Sequence, residues 1–247
     1  MPAMSQLRPH GRERRLDAQA TVLALETSTA ACSVALSIGG SIFADHRVVA
    51  REHNRLILPM VDALLRSHGV ARADLAAVAF GRGPGSFTGV RIAAGVAQGI
   101  SLGLALPVVP VSSLAALAHA AATRHAPTPG TQIVATIRSR PHETYVAAYR
   151  YDGMRCVALT DETIATADVR EPPLAVDAGT LFVGDATSHY GATIAAVGCG
   201  ADGDALPHAA AVAALALDAI ERGAVVEAAD ALPVYLQGTA PWRKLAE

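Results

Sequence analysis

The chain has few cysteines, little net charge and no apolar run long enough to span a bilayer. Cys32, Cys156 and Cys199 are scattered without a CxxC pair, which excludes a disulfide framework and fits free thiols in a reducing compartment. A formal charge of -2 over 247 residues provides no basic field that would hold a nucleic-acid backbone unaided. Any RNA would meet charge supplied by a partner. Residues 1–20 carry Arg8, Arg12, Arg14 and Arg15 without an apolar core, so they form neither a signal peptide nor an anchor. A disordered basic tail is expected there, its arginines solvated or touching RNA. Val90 to Leu106 is apolar but interrupted by Arg91, Gln98 and Ser101, and it falls short of the ~20 residues a span requires. A cytoplasmic protein without a membrane segment is expected.

Several chemical signatures are also missing. Nine histidines are present, yet no two stand four apart, so neither HxxxH nor HExxH occurs and no metal site is expected. The most glycine-rich stretch, Gly81-Arg82-Gly83-Pro84-Gly85-Ser86-Phe87-Thr88-Gly89-Val90, lacks the lysine of a P-loop and has Thr88 where GxGxxG needs its last glycine. Pro84 and Thr88 occupy the glycine positions of a GxSxG elbow around Ser86, which makes a serine hydrolase improbable. What remains at this stretch is a strand-to-helix turn. Such a turn can cradle an anion on unpaired N–H groups, with Gly83, Gly85, Ser86, Thr88 and Arg91 as candidates, or it can be purely structural. The structural reading is preferred, and no cofactor is assigned.

Folded structure is expected from Thr21. Val22 to Leu25, Cys32 to Ile38 and Ser41 to Val49 read as an antiparallel meander turning at Glu26-Thr27-Ser28-Thr29 and Gly39-Gly40. His53 to His68 places Leu56, Ile57, Met60, Leu64 and Leu65 at helical spacing. A strand at Leu75 to Phe80, a helix over Val90 to Leu106, a strand at Val108 to Val111 and a helix capped by Ser112 or Ser113 follow. After Pro127 and Pro129 the layout restarts, with strands at Ile133 to Ile137 and Thr144 to Tyr151 around a turn of Arg138, Ser139, Arg140 and Pro141. Further strands are expected at Val157 to Leu159, Thr163 to Ala165 and Leu181 to Val183, a loop over Asp168 to Asp177, and a helix over Pro207 to Arg222. The echo of the opening hairpin suggests two related lobes, residues 21–111 and 112–247, with the last segment packing back on the first.

Two α/β lobes that each open with a hairpin have the layout of the actin, sugar kinase and heat-shock ATPase superfamily, a ribonuclease H-like (ASKHA) fold with a mixed sheet and helices in each lobe. More specifically, Leu25-Glu26-Thr27-Ser28, Cys32-Ser33-Val34-Ala35-Leu36, Arg51-Glu52-His53 with Leu58-Pro59, the glycine block through Ile92, and Pro233-Val234-Tyr235-Leu236 together resemble the TsaB family. The resemblance runs from about Thr21 to Lys244. It implies a non-catalytic subunit of the machinery that makes threonylcarbamoyladenosine in tRNA. Such a subunit dimerises with TsaD, which carries an HxxxH pair absent here, and meets the ATPase TsaE at a surface shared with TsaD. Family members show Asp-Ala-Arg in the second hairpin, where this chain has Arg138-Ser139-Arg140.

The same resemblance implies that helices of the first lobe bind the partner. Gly95, Gly99 and Gly103 lie four apart on one helical face, each costing up to ~1 kcal/mol of helix propensity relative to Ala, and they permit close approach of another backbone. That backbone is either the chain's own or a partner's. Leu56, Met60 and Leu64 offer a second apolar stripe, read either as core or as interface. TsaD is the expected partner, a homodimer is expected when the chain is alone, and tRNA is met only through the complex. The competing reading is a self-sufficient actin-like ATPase or small-molecule kinase, with Glu26, and secondarily Asp185, as candidate carboxylates. Each has a bland alternative: Glu26 bonding its own turn, Asp185 solvated in a loop. His53 reads first as a capping or packing residue.

Overall fold

A computed structural model describes residues 16–49, 51–166 and 171–236. The four arginines of the tail and the start of the loop expected at Asp168 lie outside the described residues. Two mixed sheets form, each with helices, as the sequence reading expected.

The first sheet is built around β1 (Val22–Glu26), every residue of which is buried. Antiparallel β2 (Ala31–Ile38) and β3 (Ser41–Val48) complete the meander on one side, while β4 (Ala77–Gly83) and β5 (Val108–Ser112) run parallel on the other. Alternation along β1 sends Leu23 and Leu25 to one face and Val22 and Ala24 to the other. The first face packs against α1 (His53–Ser67) and α2 (Phe87–Leu104), through Ile57, Met60, Leu64, Ala93 and Ala97. Opposite, Ala24, Ala35, Ala77 and Ala79 present a shallow surface on which α5 (Ala209–Glu221) lies, itself contributing Ala209, Ala213 and Ala216. Small residues on both sides let the α5 backbone approach the sheet closely. Between these elements, α3 (Ser113–His125) turns Leu114, Leu117, Ala118 and Ala121 toward the second sheet and Ala116 toward the α5 cluster. Ser112 caps it, its hydroxyl accepting from Ala115 N at 3.0 Å.

In the second sheet the hairpin of β6 (Gln132–Arg138) and β7 (Glu143–Tyr151) is flanked by β8 (Cys156–Ala158) and β9 (Thr163–Thr166) along β7, and by parallel β10 (Leu181–Val183) beside β6. Two elements are absent from the sequence reading: α4 (Gly191–Val197) and the edge strand β11 (Gly200–Asp202). Gly-Ala-Asp carries no hydrophobic alternation, and only parallel pairing with β10 makes it a strand.

The glycine stretch is shorter as a turn than its composition predicts. β4 extends through Gly83, paired with Ser112 of β5, and α2 starts at Phe87, so only Pro84 to Ser86 separate them. The Ser86 hydroxyl accepts from Gly89 N and starts the helix three residues earlier than periodicity indicates. At 18 residues α2 is, among the described residues, the one helix long and apolar enough by length and composition to cross a membrane; its Ala93, Ala94, Ala97 and Ser101 face is buried in this fold.

One packing contact gives the fold an acid sensitivity. His46 on β3 stacks on His208 at 4.3 Å between ring centroids, and His208 Nδ1 accepts from Ala210 N to cap α5. Burial and the neighbouring His46 lower the His208 pKa to about 4, and burial lowers that of His46 against the opposing pull of Asp45. A depressed folded pKa means that the unfolded chain binds the proton first. The stability that this contact contributes is therefore complete above pH ~6.5, the ordinary histidine value, and falls as pH drops toward 4. With partial exposure discounted, His208 accounts for about 2 kcal/mol of that fall. Denaturant titrations between pH 7 and 4 check this: His208→Asn, which keeps a capping side chain, flattens the profile.

Candidate partner face and interlobe cleft

The β1–β2 turn and the β4–α2 joint interlock. Glu26 is fully buried; its Oε1 accepts from Ser28 N at 2.6 Å and its Oε2 from the Ser113 hydroxyl of α3 at 2.8 Å. Thr27 Oγ1 donates to Gly89 O at 2.7 Å, and Ser86 N donates to Ser28 O at 2.7 Å. Glycine is obligatory in this lock. A Cβ on Gly81 would lie 2.0 Å from Glu26 Oε2, one on Gly85 2.5 Å from Ser28 O, and one on Gly89 2.0 Å from Thr27 O. The Pro-Val-Tyr segment closes the joint from outside, with Val234 N donating to Arg82 O at 2.8 Å.

The five anion candidates are thereby separated. Ser86 and Thr88 line a cleft of about 1030 Å³ between the lobes. Gly83 lies beneath the Val234 carbonyl, and Gly85 is pressed on the Ser28 backbone. Arg91 turns onto the Phe87 ring at 3.7 Å and donates from Nε to the Tyr235 hydroxyl at 2.8 Å. It serves as a clasp for the C-terminal segment, because stacking on two rings holds a guanidinium more favourably than open solvent.

The carboxylates of the ATPase reading are likewise engaged. Burial raises the Glu26 pKa against its hydrogen bonds to Ser28 and Ser113, so the group is poorly suited to carrying a charge toward the cleft. This matches the bland reading of Glu26 as a residue bonding its own turn. In the second hairpin Arg138 N donates to Asp185 Oδ1 at 2.7 Å and its guanidinium to Asp185 O at 2.8 Å. Asp185 is therefore tied to Arg138 and is not a freely solvated loop carboxylate. Magnesium-nucleotide hydrolysis needs carboxylates facing phosphates across the cleft, and the buried, occupied Glu26 does not fit that role. Among the described residues no group of three His, Cys, Asp or Glu side chains is placed to hold a metal. His53 stands at the first position of α1 and lines the cleft.

On the outer side of the first lobe the two apolar stripes separate. Met60 and Leu64 are only 2% and 8% exposed and belong to the core beneath α1, and Leu56 is half-buried against the same cluster. Expecting Met60 and Leu64 to line a surface is corrected here: the periodic stripe of an amphipathic helix is the one its own sheet covers. Gly95, Gly99 and Gly103 behave oppositely, since a Cβ on any of them would meet no atom within 4 Å. They lie on a face that none of the described residues covers. Beside them runs a groove of about 540 Å³ whose lining includes Leu58, Pro59, Leu65, Gly99, Ile100 and Gly103. Leu102 and Leu58 rim this region at 78% and 53% exposure. Sequence reasoning missed both. Leu102, seven residues after Gly95, was the available signal.

The family model described as TsaD, tRNA N6-adenosine threonylcarbamoyltransferase, matches residues 45–232. The tRNA threonylcarbamoyladenosine biosynthesis protein TsaB of Escherichia coli (strain K12) is 36% identical over 91% of this chain and 97% of its own length. That of Haemophilus influenzae is also 36% identical, with the same coverage. The solved structure of YeaZ from Pseudomonas aeruginosa superposes with a TM-score of 0.79 at 38% identity, covering 88% of this chain and all of that one. With its two mixed sheets in a two-lobed actin-like arrangement, the chain belongs to the TsaB family, within the wider TsaD-like domain family.

Proposed function

We propose that this protein takes part in tRNA threonylcarbamoyladenosine biosynthesis as a non-catalytic subunit that dimerises with TsaD and holds it in an active arrangement. TsaD then transfers the threonylcarbamoyl group to the adenosine beside the anticodon. Family membership supports the pathway, and the open Gly95-Gly99-Gly103 face is the observation that supports the mode of action. Three glycines in one helix cost propensity, and none of the described residues uses the space they leave. A partner helix laid along them and seated by Leu58 and Leu102 buries apolar surface that is otherwise exposed. In this reading the weakly acidic chain contributes no direct RNA contact, TsaE joins at a surface shared with TsaD, and the protein works in the cytoplasm. Without TsaD, two copies pair by the same face.

Gly99→Arg tests the proposal cleanly, because arginine is a good helix former and position 99 opens on free space. The variant keeps the wild-type unfolding midpoint, fails to co-purify with the cognate TsaD, and supports no more tRNA modification than TsaD alone. Undiminished complex formation and activity would exclude this face. Sedimentation of the isolated chain, wild type against Gly99→Arg, reads the homodimer in the same way.

A further inference from the structure

We propose that a second copy of this chain docks along the free edge of the first sheet, β3 against β3, in one antiparallel register. This edge lies apart from the glycine face on α2, and the proposal stands independently of the partner reading.

β3 ends the strand order on its side of the sheet, with β2 as its neighbour. Gly39 and Gly40, both at positive φ, form a two-residue turn that makes Ile38 and Ser41 a hydrogen-bonded pair. Alternation from there turns the main-chain groups of Ser41, Phe43, Asp45 and Arg47 toward β2. The bond from Val49 N to Ala30 O, at 2.9 Å, continues the same phase. Ile42, Ala44, His46 and Val48 therefore point their N–H and C=O groups outward, and among the described residues nothing accepts from them or donates to them. Such an edge is a template for another strand. Side chains alternate likewise. Phe43, against His68 at 4.2 Å between ring centroids, stands with Asp45 and Arg47 on the α1 face, while His46, stacked on His208, stands with Ile42 on the α5 face.

Charge selects both the occupant and the register. When two β3 strands meet antiparallel about a two-fold axis, outward residues face outward residues. Centring the axis on His46 sets Asp45 opposite the second copy's Arg47, and Arg47 opposite its Asp45. Moving the axis back by one residue stands Asp45 opposite Asp45; moving it forward by one stands Arg47 opposite Arg47. An axis on Ala44 leaves both charges opposite neutral residues. Opposite charges across strands stabilise and like charges destabilise, so β3 fits its own copy in the His46-centred register. A lone charge on an edge strand repels any neighbour; this self-complementary pair admits one. Arg47 Nη2 already meets Asp45 Oδ2 within the strand at 2.6 Å, with the guanidinium about half exposed, and the second copy extends that ion pair into a network of four charges. The same register sets Phe43 opposite Val49 on the α1 face and covers Val48, 69% exposed, with Ala44 on the other. At the axis the two imidazoles are neutral at pH 7, because burial lowers the His46 pKa against the pull of Asp45.

Sedimentation of the full chain carrying Gly99→Arg tests this, since that substitution closes the glycine face and leaves β3 untouched. The mass is expected to rise with concentration toward that of two copies. Asp45→Arg and Arg47→Asp, each added singly, weaken this association about ten-fold, because both cross-strand pairs turn from attractive to repulsive. The double exchange Asp45→Arg with Arg47→Asp recovers it. All three variants keep the parent's unfolding midpoint, because an exposed ion pair contributes little to stability. A single-copy mass at every concentration, single variants that associate as the parent does, or a double exchange as weak as the singles would overturn the proposal. A wild-type mass unchanged by Gly99→Arg counts against the glycine face alone, and the pattern of charge exchange still reads β3.

Discussion

Alanine at Gly89 lowers the unfolding midpoint by roughly 10 °C, a loss of about 4 kcal/mol for a chain of this size. The added methyl would sit 2.0 Å from Thr27 O, which is main chain and cannot rotate aside. Relief requires α2 to lift from the β1–β2 turn, breaking the Thr27–Gly89 and Ser86–Ser28 hydrogen bonds together. Alanine at Gly95, two turns further along the same helix, does the reverse. It meets open space and gains up to ~1 kcal/mol of helix propensity. Thermal unfolding of both variants decides whether the glycines of this stretch serve two separate purposes. A stable Gly89→Ala, or a destabilised Gly95→Ala in the isolated chain, would refute the distinction.

Removing the Glu26 side chain is nearly as damaging. Glu26→Ala leaves Ser28 N and the Ser113 hydroxyl without their acceptors in a fully buried site, and costs about 3 kcal/mol. Glu26→Gln retains one acceptor oxygen and gives Ser113 a donor to accept from, so its stability at pH 7 equals or exceeds that of the wild type. The sign of the pH dependence separates the two effects. Because burial raises the folded pKa, the folded state holds its proton more tightly than the unfolded chain does. The Glu26 contribution is therefore greatest below the ordinary carboxylate value and is lost as pH rises through the folded pKa. Glu26→Gln abolishes that slope, which denaturant titrations from pH 4 upward would show. Gly81 adds an internal check, since its missing Cβ leaves room for Glu26 Oε2. Gly81→Ala is destabilising in the wild type and much less so in Glu26→Ala, a non-additivity that a double-mutant cycle measures.

Much of this fold was legible in local patterns. The meander, α1, α3 and α5 follow from alternation, 3.6-residue spacing and capping residues, which act over a few positions and do not depend on distant contacts. The Gly-Pro-Gly-Ser-Phe-Thr-Gly block marked the strand-to-helix joint because tight backbone approach leaves few residue choices. Residue spacing alone also ruled out the HxxxH, HExxH and P-loop signatures. Other features depended on residues far apart in sequence. Met60 and Gly99 both belong to helical stripes, and only the sheet beneath α1 and the open space over α2 show that the first is core and the second surface. Glu26 reads as a candidate for metal chemistry until Ser113, 87 residues away, is found closing its carboxyl into the interior. The cleft joins Ser28, His53, Ser86 and Arg138 from four segments, and no local spacing encodes that meeting. Side-chain periodicity specifies which residues share a face; which face is buried, and against what, is a property of the packed chain.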